Sequence, residues 1–162
     1  MLPVALMIYA AVLFVNAFFL LGRVPGPAAG PINLIAGALG LIAAYVIFAS
    51  APTGTAFAAV LVGTFALAFL MLGATLTWGF DGKALGYYAL FGALVCILYV
   101  TTVMGVDWRL LAMVVSFAVL FLLFAAILAF GQALQRPTAY FTLAVVFVGL
   151  ILPAFLMMTE RW

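Results

Sequence analysis

Six long apolar runs, each close to the length needed to cross a bilayer, constrain this chain more than any motif. They cover residues 2–21, 32–48, 56–76, 85–103, 110–130 and 138–158. The hydrocarbon core of a membrane takes about 20 residues of helix. In lipid a helix satisfies its own backbone hydrogen bonds, so such runs are read as spans. Six of them use up nearly all of the 162 residues. The expected fold is therefore an all-α membrane protein, a six-helix transmembrane bundle forming one domain over residues 1–162. The connectors are short, so sequential spans should be antiparallel neighbours.

Composition agrees and narrows the function classes. Only 5% of residues are charged, against roughly 25% in an ordinary soluble domain. The net charge of +2 offers no basic surface for nucleic acid. Cys96 is the sole cysteine, so neither an intrachain disulfide nor a two-thiol relay is possible, and it reads as a small buried hydrophobe. The first run lacks the positive n-region of a signal peptide and is too long for its apolar part, so it reads as a retained span. Trp78, Trp108 and Trp162 all fall at run ends, where an interfacial aromatic belt forms. Arg23, Lys83 and Arg136 lie on the side of the odd connectors, against Arg109 and Arg161 opposite. That bias puts the odd connectors in the cytoplasm and both termini outside.

Absent chemistry is equally informative. There is no histidine, which removes imidazole metal or haem ligation, a histidine proton relay and a histidine triad. No Asp, Glu, Lys or Arg falls within an apolar run, whereas ion-coupled transporters place such groups at mid-membrane. Asp81 and Asp107 lie in different connectors, on opposite sides of the membrane, and cannot act as a paired acid and base. The chain is thus expected to be no enzyme, with no metal and no cofactor.

What is left is a set of side-chain stripes. Leu6, Tyr9, Leu13 and Asn16 recur at spacings of three and four, on one face of the first helix. Phe65 and Phe69 are one turn apart in the third, and Phe117, Phe121 and Phe124 repeat likewise in the fifth. Small-residue stripes, Ala36–Gly40–Ala44 and Ala125–Ala129, suit close helix approach in lipid. Asn16 is the anomaly, because an unpaired amide in an apolar setting costs about 2–7 kcal/mol. It either lines a route through the bundle or hydrogen-bonds a neighbouring helix. Thr64, Thr75 and Ser116 are further polar candidates for such a route.

Three segments, in order, resemble the UreI/AmiS family of bacterial urea and short-chain amide channels. "LFVNAFFLLGRVPGPAAGPINLIAGAL" resembles the family's opening helix, its Pro-containing cationic turn and the Asn-containing start of helix two. "TWGFDGKALGYYALF" resembles the G-L-D-W-R-x-x-x-W-Y-x-L-F element between helices three and four, with Asp81, Tyr88, Leu90 and Phe91 matching. "LPAFLMMTERW" resembles the family's I-P-A-W terminus.

The resemblance implies three helix hairpins around a pore within each protomer, assembled as a homohexameric ring in the bacterial cytoplasmic membrane. It further implies constrictions of leucines and aromatic rings from helices one, three and five. Leu6, Leu13, Phe65 and Phe69 match family pore residues. Phe117, Leu120 and Phe121 stand where the family has a pore-lining tryptophan, leucine and tryptophan. Acid-gated members carry a histidine-rich loop between helices two and three; here that connector is "SAPTG". The membrane-embedded glutamate of helix six is replaced by Val145. The expected function is passive, facilitated diffusion of urea or short aliphatic amides, without gating through histidine. Two other classes stay open: a non-transporting subunit that scaffolds a partner enzyme, and an ion-coupled amide importer.

Overall fold

A computed structural model describes residues 1–50 and 56–162. The "SAPTG" break lies almost wholly outside the described residues. Six helices are long and apolar enough to cross a membrane: α1 (Leu2–Leu20), α2 (Gly26–Ser50), α3 (Ala56–Trp78), α4 (Lys83–Val103), α5 (Trp108–Leu128) and α6 (Gln135–Met158). Each is apolar around most of its circumference, as a helix with lipid on one side and a core on the other must be.

The helices form a closed ring in chain order. α2 packs most intimately on α3, α4 on α5, and α6 returns to lie along α1. Among the described residues, the backbones of α1, α3 and α5 make no extended contact with one another. They face the bundle axis and meet there through side chains. Burial is greatest for α3, half buried, and least for α2, at 28%.

Small residues allow the tight pairs. A side chain at Gly73 of α3 would overlap Leu34 of α2, and one at Gly86 of α4 would overlap Ala129, just after α5. In lipid no hydrophobic drive pulls helices together, so close van der Waals packing of this kind holds them. Ala36, Gly40 and Ala125, from the two small-residue stripes, are buried.

Helix ends follow local chemistry, and here the apolar pattern was too short. α2 begins at Gly26, six residues before its apolar run, because Pro27 falls in the first turn, where no N–H is needed. Pro25 offers its carbonyl to the N–H of Ala28 and Ala29 at 3.0 and 3.2 Å. Pro31 then lies inside the helix. At α5, the Asp107 carboxylate caps the N-terminus, accepting from the N–H of Arg109 at 2.9 Å and Leu110 at 3.4 Å. Desolvation pushes that carboxyl up, but these two bonds and the Arg109 charge outweigh it and hold it below the usual carboxylate range. Lys83, Arg109 and Arg136 sit in the first turns of α4, α5 and α6. The charged residues therefore stay at the membrane edge although they lie within helices.

α6 contains a feature that periodicity missed. Val145–Ile151 is a π-helical turn, and the N–H of Leu152 bonds back five residues to Phe147. Pro153 follows directly. Its ring crowds the carbonyl four residues earlier in a regular helix, and a widened turn relieves that clash.

Candidate functional site

Two small voids lie in line along the axis, between α1, α3, α4 and α5. One lies toward the 79–82 connector and is bordered by Leu13, Asn16, Phe65, Phe69, Leu120 and Phe121. The other lies toward the chain termini and is bordered by Leu6, Tyr9, Phe65 and Phe117. Each has a volume of about 30 Å³, enough for one or two water molecules. All nine candidate residues from the sequence thus converge on these voids, and Phe65 borders both.

Aromatic rings fill the space between them. Phe65 lies 4.6 Å from Phe121 and 5.0 Å from Phe117, centroid to centroid. Tyr9 is 5.8 Å from Phe65 and 5.0 Å from Phe69. These tilted and edge-on pairs are preferred geometries for rings with opposed face and edge charge. Two tyrosines steady α3 around this point. Tyr9 of α1 donates to the Val62 carbonyl at 2.6 Å, and Tyr88 of α4 donates to the Thr64 carbonyl at 3.0 Å. The segment carrying Phe65 is therefore clamped from α1 and α4.

Asn16 does two things at once. It borders the void toward the 79–82 connector, and it forms a reciprocal amide pair with Asn33 of α2. Asn16 Nδ2 donates to Asn33 Oδ1 at 2.9 Å, and Asn33 Nδ2 donates to Asn16 Oδ1 at 2.7 Å. Asn33 Nδ2 also donates to the Ala29 carbonyl at 2.8 Å. That carbonyl can only accept, which fixes the orientation of both amides. With two N–H groups on each amide nitrogen, Asn33 is fully committed, while one N–H of Asn16 finds no partner among the described residues.

The other polar candidates lie elsewhere. Thr64 turns its hydroxyl back to the Val60 carbonyl at 2.8 Å. Thr75 borders neither void. Ser116 lines a larger groove of about 480 Å³ between α5 and α6. That groove is bordered by the exposed Trp108, Val148 and Leu152, so it lies on the bundle's outer surface rather than its axis. Leu85, Ala89 and Phe124 also border the void that Asn16 reaches. Sequence reading assigned no role to the first two. Asp81 and Asp107 sit at opposite ends of α4 and share no site.

Neither axial void is bordered by Asp, Glu, Lys or Arg. Among the described residues no cluster could hold a metal ion. The arrangement can admit small neutral molecules and penalises charge, since an ion brought into low dielectric loses several kcal/mol even after relaxation.

Comparison with known proteins places this geometry. The chain is 30% identical to a protein of Rhodococcus erythropolis named as a transporter, AmiS2, over 98% of this chain and 80% of the relative. Its fold matches the Helicobacter pylori urea channel in a closed state with a TM-score of 0.89 at 18% identity, covering all of both chains. A crystal structure of the urea channel from the same organism matches with a TM-score of 0.87 at 20% identity, over 100% of this chain and 99% of that one. Residues 1–161 match the family described as AmiS/UreI family transporter. This multi-pass membrane protein belongs to the AmiS/UreI family, whose members are channels and transporters rather than enzymes.

Proposed function

We propose that the chain is a passive channel for urea or short-chain aliphatic amides, working by facilitated diffusion. The observation that carries this reading is the pair of aligned, uncharged, ring-walled voids that meet at Phe65. Leu6, Tyr9, Leu13, Asn16, Phe65, Phe69, Phe117, Leu120 and Phe121 are the proposed lining of the route. A compact planar amide slips between rings by stacking and short-lived hydrogen bonds, whereas an ion meets a wall of hydrocarbon. In the conformation described here the rings leave room for water only, so solute passage needs Phe65 and its neighbours to swing aside.

The family likeness supports a homohexamer in the bacterial cytoplasmic membrane, with the whole chain acting as one transmembrane domain. The Lys and Arg bias supports termini on the outer side. With no histidine in the chain, the route is ungated by imidazole.

Purified protein in liposomes tests the reading by stopped-flow light scattering with urea and acetamide. A channel gives solute flux above lipid permeability with no imposed ion gradient. Lipid-level flux overturns it in favour of a scaffold, and flux that depends on a proton or sodium gradient overturns it in favour of a coupled importer.

A further inference from the structure

Two glycines that border neither void lie directly behind the rings that do. Gly92 is buried on α4. A Cβ there would lie 2.8 Å from Cε1 and Cζ of Phe121 and 2.9 Å from its Cδ1, so its three nearest neighbours all belong to one ring. Gly40 is buried on α2. A Cβ there would overlap the Tyr9 hydroxyl and lie 2.9 Å from Tyr9 Cε1 and from the Ala66 Cβ. Other tight glycines of the bundle meet different groups: Gly37 faces Leu70 and the Ala66 carbonyl, and Gly73 faces Leu34. The notches behind Phe121 and Tyr9 are specific to the aromatic cluster.

The geometry points to Gly92 and Gly40 as positioning residues that set the bore of the route, each drawing one ring back from the axis. The inference rests on the channel reading above. A methyl group at position 92 needs the Phe121 ring to yield by roughly 0.7 Å to reach ordinary carbon–carbon separation. The ring is backed by Phe65 at 4.6 Å, so the displacement goes into the narrowest part of the path. At Gly40 the displaced group is Tyr9, whose hydroxyl is held by Val62. Bore, and with it selection by solute size, is thereby controlled from residues that border neither void.

The test is the propionamide-to-urea permeability ratio of reconstituted Gly92→Ala and Gly40→Ala, with Gly37→Ala as a packing control one turn from Gly40. One methylene in a fitted slot changes discrimination by ~10-fold or more, so propionamide flux should fall about that much and urea flux less. Phe121→Leu added to Gly92→Ala should restore the ratio, while Tyr9→Phe added to it should not. Tyr9→Phe should instead relieve Gly40→Ala, and Ala66→Gly should not. A wild-type ratio in assembled Gly92→Ala overturns the inference. So does the same loss in Gly37→Ala, or rescue by the wrong partner. Should Gly92→Ala fail to assemble, Phe121→Leu alone decides, since trimming the ring must raise the ratio and an unchanged ratio overturns the inference. Wild-type flux at the lipid level would sink the channel reading itself, a separate result.

Discussion

Asn16 on α1 and Asn33 on α2 exchange two hydrogen bonds, at 2.9 and 2.7 Å, with both amides fully buried. This pair ties the first two helices together at the level of the void that Asn16 borders. Each amide is neutralised by the other, which is why a carboxamide is tolerated in a run of hydrocarbon.

Asn16→Leu and Asn33→Leu should each destabilise the protein by ~1–3 kcal/mol, because each strands one buried amide. The double Leu variant should recover most of that loss, since removing both partners leaves nothing unpaired. Thermal melting in detergent checks this. Urea flux of the double variant then isolates the role of the spare Asn16 N–H in the route, and slower flux in a stable protein is the expected result.

Phe65 borders both voids. Phe65→Leu should open the wall between them and raise flux of longer amides several-fold relative to urea, at a stability cost of ~1 kcal/mol. Ion leak should stay at the lipid level, because the lining is still uncharged. Parallel light-scattering and conductance measurements would read both.

Flux should be flat between pH 7.5 and pH 5. No imidazole is present, and the Asp107 carboxyl is held below the usual carboxylate range, so it stays ionised throughout. The sign for stability follows from a depressed acid. The contribution of the ionised cap is complete above about pH 5 and fades only as pH falls through its folded value. Flux measured across matched internal and external buffers is the check, and a steep rise or fall in that window would refute it.

Thr138 Oγ1 is buried and finds no hydrogen-bond partner among the described residues. Thr138→Val keeps the shape and deletes the stranded hydroxyl, so it should leave stability unchanged or raise it by ~1 kcal/mol. Thr142→Val removes the bond to the Thr138 carbonyl and serves as the contrast, with a loss of comparable size. The two melting temperatures should move apart.

The spans were legible because the bilayer leaves so few choices: length and hydropathy alone mark all six helices. The start of α2 was not, since Pro27 and Pro31 read as breakers, yet the first sits where a helix tolerates it and the second costs it one bond. The π-helical turn before Pro153 was hidden for a similar reason, as a single proline does not say whether a helix ends or widens. Within the site, helical spacing and family likeness brought all nine candidates to the axial voids. Asn33 was missed as a partner because pairing across helices depends on register. Ser116 and Thr75 were misjudged because polarity does not reveal which face of a helix turns inward. Gly40 read as one more small residue in a packing stripe, and only the ring lying against it gives it a different meaning.

The Tyr9 hydroxyl is already spent on Val62, and most of the Asn16 amide is spent on Asn33. A solute on the proposed route must therefore shed its water shell and receive few hydrogen bonds in return. Throughput should rank with how readily a molecule partitions from water into oil, so that methylated ureas outrun urea until their girth stops them.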